Sequence, residues 1–429
     1  MQVLYFADIR FPLERANGIQ TMHTCAALAA RGHSVVLHVR RDTQRPARDP
    51  FVFYGVTPDP RLRVVRARTP GSPALRRLAY LASVLVRTLH PRRPDVILTR
   101  DLGVASLILR LPRSLRPPLV YESHGFAPAV SQAMPELLSD AGGTTGRKQR
   151  RLTAREQRTW KEADAYVAVT RTLAEELTGR FGPRDLVAIV PDGVRLPAER
   201  VFAPARPAAV PTVGYAGHLY PWKGVDVLLD ALALLPGVAG LIIGGHGAEP
   251  DLQRARTRAE ALGIAARVRF TGAVEPSRVL PRLAEADILV VPNTATTLSA
   301  RYTSPLKLFE YLAAGKPIVA SDLPSLREVL SDGGNAVLVG PGDPAALAAG
   351  IRRVLDDPRL AESIARRAFD DAARFTWACR AERLEAVFEW VAVRSRRPIG
   401  RAAASGGRTT EGEPPSAAGS TEAGRVQDR

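Results

Sequence analysis

Lysine is almost missing from this 429-residue chain. Of its 60 basic residues all but five are arginine, the exceptions being Lys148, Lys161, Lys223, Lys307 and Lys316. A compact ammonium on a flexible stem does different work from a planar guanidinium fork, so the positions that keep lysine are informative. Cysteine is scarcer still. Cys25 and Cys379 stand far apart in helical-looking contexts, which excludes a disulfide framework and a cysteine metal site and predicts a reducing, cytoplasmic setting. No apolar run approaches the ~18 residues that would span a bilayer. The opening MQVLYFAD runs straight into a strand-like pattern with no basic region or cleavage site, so no signal peptide is expected. No Asp-x-Asp pair sits in a loop to hold a divalent ion, and no G-x-G-x-x-G opens the first half, which leaves a nicotinamide cofactor without support. Zinc spacing, aromatic–basic interleaving and a recognition-helix pattern are all missing, which argues against nucleic acid as a partner.

The length, 45% hydrophobic content and 35 dispersed prolines are enough for two ordinary domains. Charge is unevenly placed. Residues 1–200 carry 32 basic and 18 acidic groups, residues 201–393 carry 21 of each, and residues 394–429 carry 7 against 4. The basic first half faces an anionic partner, such as lipid head groups, or reflects a general preference for arginine. One segment, Leu75 to Leu89 with Arg76, Arg77, Arg92 and Arg93 around it, combines an apolar face with basic ends. It reads equally as a membrane-surface helix or as an ordinary helix on the first sheet.

Strand-like runs at 3–7, 34–39, 96–99, 119–121 and 166–169 alternate with helical periodicity, including a helix over 19–31 that stops at Gly32. Residues 125–146, polar and rich in small side chains, read as a long mobile loop over a site. Residues 201–211, mostly proline and alanine, read as a linker. Alternation restarts with strands at 212–216, 240–243, 268–270, 288–291, 317–320 and 336–339. The pattern predicts two doubly wound, Rossmann-like α/β domains facing each other across a cleft, with ligand at the carboxyl ends of the strands. The first spans 1–200, and residues 376–394 read as a helix. The second spans 212–375, and residues 395–429 read as a disordered tail.

Two short segments carry the chemistry. In YAGHLYPWKG (215–224) a strand and a glycine turn lead to Lys223-Gly224 at a helix start. In YTSPLKLFEYLAAGKPIVA (302–320) a Ser-Pro pair starts a helix that places Lys307 and Glu310 on one face. Helix N-termini seat anions, so two such ends with lysines and one carboxylate suit a phosphate-bearing ligand with a hydroxylated sugar. Two of the five lysines fall in these seats. Glu310 would accept hydrogen bonds from ribose, although a first-turn acid also suits a helix dipole. The turn Gly244-Gly245-His246-Gly247 would help line a base pocket.

With these motifs in place, residues 1–392 resemble the family-4 retaining glycosyltransferases, which have the two-domain B-type fold, most strongly over 212–345. The resemblance maps the family's glycine turn and Lys-Gly helix start onto Gly217-His218 and Lys223-Gly224. Its capping segment falls on Ser304-Pro305-Leu306-Lys307, and the second glutamate of its signature on Glu310. The Gly-Val turn after its first domain falls on Asp192-Gly193-Val194, its donor-phosphate loop on Asn17-Gly18, and its site histidine on His124. The chain departs from the family at Tyr302, where a glutamate is usual, at His218, where an arginine is usual, and at Asn17, where a glycine is common. The resemblance implies transfer of a sugar from a nucleotide diphosphate sugar to a glycan or lipid-linked acceptor in cell-surface polysaccharide or glycolipid synthesis. It implies retention, no metal and no cofactor, and a helix at 376–394 that rejoins the first domain. His124, Lys223 and Glu310 would act in catalysis. Gly18, Gly217, His218, Gly224, Ser304, Pro305, Leu306 and Lys307 would join Lys223 and Glu310 around the donor. The enzyme would be cytoplasmic and could lie on the inner face of a membrane. A nucleotide-sugar epimerase of the same fold and an inactive nucleotide-sugar-binding protein are the alternatives.

Overall fold

The computed structural model describes residues 1–43, 46–68, 72–137, 145–197, 210–245, 250–302 and 304–396. In the first half, strands β1 (Gln2–Arg10), β2 (Ser34–Arg40), β3 (Leu62–Ala67), β4 (Val96–Thr99), β5 (Leu119–Ser123), β6 (Ala165–Ala168) and β7 (Val187–Ile189) form one parallel sheet. Its order is β3-β2-β1-β4-β5-β6-β7. In the second half, β8 (Thr212–Ala216), β9 (Ala239–Ile243), β10 (Val268–Gly272), β11 (Ile288–Val291), β12 (Ile318–Ser321) and β13 (Val337–Val339) form another. Its order is β10-β9-β8-β11-β12-β13, again parallel throughout. Parallel sheets are covered on both faces, and the strands read accordingly as continuous apolar runs. All four residues of β4, β11 and β12 are buried. In each sheet the strand order reverses beside the first strand, between β1 and β4 and between β8 and β11. A crevice opens at the carboxyl ends at such a point.

The expected strands lie where predicted to within a few residues. β3 and β7 were not anticipated. β3 reads LRVVRA, with Arg63 and Arg66 interrupting the apolar run, and β7 is three half-buried residues at the sheet edge. Residues 125–146 are not a loop throughout. Helix Ala127–Leu137 fills the first part, and helix Gly146–Glu162 begins at the end of the segment. The Ala127 N–H, in the first turn of the earlier helix, donates to the Glu156 carboxylate of the later one at 3.2 Å. Residues 138–144, the proposed linker at 201–209, His246 with Gly247, and the tail from 397 lie outside the described residues.

Helix Trp377–Arg396 packs against the first sheet. Ala381, Leu384, Val387, Phe388 and Val391 share a buried cluster with Val3, Tyr5 and Leu37. The two halves also meet near the site. The Thr170 hydroxyl accepts from the Leu173 N–H, capping helix Arg171–Phe181, and donates to the Arg301 carbonyl at 2.9 Å. Glu328 in turn accepts the Arg171 and Thr172 N–H groups at 2.7 and 2.9 Å, so an acid of the second half sits at the positive end of a first-half helix.

Candidate active site

After β8 the chain turns at Gly217, whose φ of +134° only glycine holds easily. Gly244, at the end of β9, packs so closely that a Cβ there would lie 2.2 Å from the Gly217 carbonyl oxygen. A three-residue helical turn, Pro221–Lys223, follows. Gly224 does not continue it. It takes φ +74° and stands as the N-cap of helix Val225–Ala233, so Lys223 ends the turn before the helix rather than opening the helix itself. A Cβ on Gly224 would lie 1.7 Å from the Pro292 carbonyl oxygen. The Thr294 N–H donates to the Trp222 carbonyl at 3.0 Å. These contacts seat the Lys223 turn on the loop after β11.

Helix Leu306–Ala314 is fixed to the end of β8 by the Tyr311 hydroxyl, which accepts the Ala216 N–H at 2.7 Å. The helix follows Pro305, with no side-chain cap. Ser304 does not cap it either, because its hydroxyl accepts the Asp192 N–H at 3.2 Å and so ties the two halves together. Lys307 is buried, with its stem beside Gly217 and its Nζ 4.1 Å from the centre of the Tyr215 ring. That Nζ has no hydrogen-bond partner. Burial, and then the neighbouring Lys223 ammonium, push it well below the ordinary lysine range. Lys223 Nζ lies 3.7 Å from the centre of the Trp222 ring, and burial pulls its pKa down to about 7. Glu310, one turn along from Lys307, is pushed up to about 7 by burial. The His218 ring stacks on Tyr220 at 5.0 Å, and its carbonyl accepts the Tyr215 hydroxyl at 2.6 Å.

The first-half side of the site is built differently. His124 follows β5, and its Nε2 lies 2.5 Å from Glu122 Oε1. Burial and the Arg100 guanidinium hold the imidazole below its ordinary pKa. A neutral ring donating from Nε2 leaves Nδ1 as an acceptor. Glu122 is fully buried yet ionised, with its pKa lowered to about 2 because Arg380, His124 and Arg100 outweigh desolvation. Its Oε1 also accepts from Gln20 Nε2 at 2.5 Å, and its Oε2 from Arg380 at 2.5 Å. Arg380, on helix Trp377–Arg396, further donates to the Thr24 hydroxyl and to the Val190 and Pro191 carbonyls. Arg100 Nη1 donates to Gln20 Oε1 at 2.8 Å. Gly18 lies early in helix Ala16–Ala30, where a Cβ would come within 2.3 Å of the Tyr54 hydroxyl and 2.4 Å of the Leu13 carbonyl. Close packing there already requires glycine.

Tyr302, standing in place of a family glutamate, crosses to the first half. Its hydroxyl donates to the Glu176 carboxylate at 2.9 Å, and its ring lies against Gly125. Sequence reasoning missed Arg380, which is one arginine among 55. It also missed Asn293, fully buried after β11 with both amide atoms unpartnered, although its place after a strand at the switch point was a usable signal.

This geometry agrees with what known proteins show. Residues 18–193 match the model of the glycosyl transferase 4-like domain, and residues 210–357 that of the glycosyl transferases group 1. The chain is 29% identical to a glycogen synthase of Mycobacterium tuberculosis over 404 residues, 88% of each chain. It is 32% identical to a phosphatidyl-myo-inositol mannosyltransferase of Mycobacterium leprae over 248 residues, 53% of this chain and 63% of that one. A sucrose-phosphate synthase from Thermosynechococcus elongatus shares the fold with a TM-score of 0.72 at 20% identity, over 92% of this chain and 99% of that one. The chain belongs to the group 1, family-4 glycosyltransferases and is a glycosyltransferase of the two-domain B-type fold.

Proposed function

We propose that the enzyme moves a sugar, with retention and without a metal, from a nucleotide diphosphate sugar to a glycan or lipid-linked acceptor. The observation that carries this is the pair of desolvated amines, Lys223 and Lys307, close enough for one to depress the other. Neither has an acidic partner among the described residues. As the sugar–phosphate bond breaks, charge builds on the diphosphate, and pre-placed cations act most strongly there. In this reading the seat supplies that charge in place of a metal. Glu310 accepts from the ribose hydroxyls, and His124 Nδ1 accepts from a hydroxyl of the donor sugar. Both oxygens of Glu122 are already engaged, so it orients His124 and is not free to act as a base. Leaving-group stabilisation without a strong base fits retention.

The named relatives act on glycogen or on phosphatidyl-myo-inositol, and the proposed setting is cell-surface polysaccharide or glycolipid synthesis on the cytoplasmic face of a membrane. Among the described residues no helix is long and apolar enough to cross a membrane. Helix Pro73–Thr88 and the residue after it turn Leu75, Leu78, Val86 and Leu89 outward at helical spacing, beside Arg77, Arg92 and Arg93. That face suits peripheral contact with anionic lipid. The test of the transfer reading is Lys223→Ala, expected to lower the transfer rate by about two orders of magnitude. Lys161→Ala is the control and should change little. Wild-type kinetics for Lys223→Ala, or activity lost to a chelator and restored by a divalent ion, would contradict the reading.

A further inference from the structure

Glu156, on helix Gly146–Glu162, is a fully buried acid, and no basic side chain pairs with it among the described residues. It is held by two neutral donors from two other elements. The Tyr166 hydroxyl, on β6, donates to Oε1 at 2.7 Å, and the Ala127 N–H donates to Oε2 at 3.2 Å. Tyr166 is itself fixed by edge contacts with the rings of Trp160 and Tyr121. Burial raises the Glu156 carboxyl to about 7, against the opposing pull of these two bonds. An apolar side chain of similar size would fill the same space without the cost of desolvating a carboxylate. It could not accept the Ala127 N–H.

That N–H belongs to the turn that carries His124. Ala127 is the first residue of helix Ala127–Leu137 and stands three residues after His124. The first N–H groups of a helix have no partner within it, and a carboxylate at that end also meets the positive pole of the helix. The rest of the turn is confined to one shape. The Ser123 hydroxyl donates to the Gly125 carbonyl at 3.3 Å. Gly125 takes φ +144°, and a Cβ there would lie 2.8 Å from Val130 Cγ2. The Phe126 ring packs edge-on against Phe181 and lies 4.5 Å from the Arg180 guanidinium. Gln149, two turns before Glu156 on the same helix, donates to the Pro128 carbonyl at 3.2 Å. Helix Gly146–Glu162 therefore grips the start of helix Ala127–Leu137 at two points. Glu122 orients the His124 ring, and Glu156 holds the backbone that follows it.

We propose that Glu156 is a positioning residue for the transfer: through the Ala127 N–H it fixes residues 124–127, and so the direction in which the imidazole meets the donor sugar. This rests on the role given to His124 above. The test uses the full chain and reads His124 in two ways. Its ring-carbon resonance in histidine-labelled protein, assigned with His124→Ala, needs no substrate. Hydrolysis of UDP-glucose, UDP-N-acetylglucosamine or GDP-mannose, whichever the wild type consumes, gives kcat and KM. Glu156→Leu removes the acceptor, and it should shift the His124 resonance and lower kcat about tenfold or more with little change in KM. Glu156→Gln keeps an acceptor oxygen and should restore both readings toward wild type. Ala127→Pro deletes only the N–H, at a helix position that suits proline, and should repeat the Leu result where Glu156→Leu folds poorly. A lowered melting temperature with the resonance and kcat unchanged in the Leu and Pro variants overturns the proposal, as does an equal loss in Glu156→Gln. Wild-type kcat in His124→Ala would overturn the role of His124 and this proposal together. A slow His124→Ala beside a normal Glu156→Leu would overturn this proposal alone.

Discussion

The two sides of the cleft hold their ionisable groups in opposite ways. On the first-half side the carboxylate beside His124 is matched. Glu122 is shared by Arg380, Gln20 and His124, and its pKa falls to about 2 in spite of complete burial. On the second-half side Lys223, Lys307 and Glu310 have no oppositely charged partner among the described residues, and desolvation pushes all three toward neutrality. A matched network is stable on its own and holds geometry. Unmatched groups oppose folding and become favourable only when a ligand brings the complementary charge. On the proposed reading the first side is a scaffold that aims His124, and the second is a seat for a charged donor.

The matched side should break most severely. A chain ending at Arg374 loses Arg380 together with Ala381, Leu384, Val387, Phe388 and Val391 from the core. It should show no cooperative unfolding by circular dichroism, and a melt like that of the full chain would refute the role given to helix Trp377–Arg396. Arg380→Met isolates the charge. It leaves Glu122 buried without its strongest counter-charge and should cost about 3–5 kcal/mol in denaturant unfolding. A cost within the range of ordinary surface changes would mean that the pair matters little.

The fold was legible because parallel strands buried on both faces leave unbroken apolar runs such as those of β4, β11 and β12. β7 was not legible because a half-buried edge strand of three residues carries no period. On the site, Lys223, Lys307 and Glu310 stood out through their glycine, proline and helix-start context. Arg380 could not, because its partners lie up to 356 residues away in the sequence. The meaning of Tyr302 was equally hidden, since its contact with Glu176 depends on how the two halves meet.

Proton exchange sharpens the comparison with a smaller signal. Lys223, lowered to about 7 by burial, should take up a proton if it meets the diphosphate as proposed. Glu310, raised to about 7 by burial, should release one if it accepts ribose hydroxyls as proposed. Nucleoside diphosphate binding to Glu310→Gln should therefore take up more protons than wild type and weaken as pH rises through 7. Lys223→Ala should take up fewer. Calorimetry in buffers of different ionisation enthalpy counts these protons, and equal numbers in all three proteins would contradict the assignment.

Lys307→Met tests the central claim most directly. It keeps the length of the side chain and removes only the buried, unpartnered amine. Without ligand the variant should be more stable than wild type, by on the order of 1 kcal/mol, and nucleoside diphosphate should no longer raise its melting temperature. A variant less stable than wild type, yet still stabilised by nucleoside diphosphate, would show that Lys307 is a structural group and that the donor is held elsewhere.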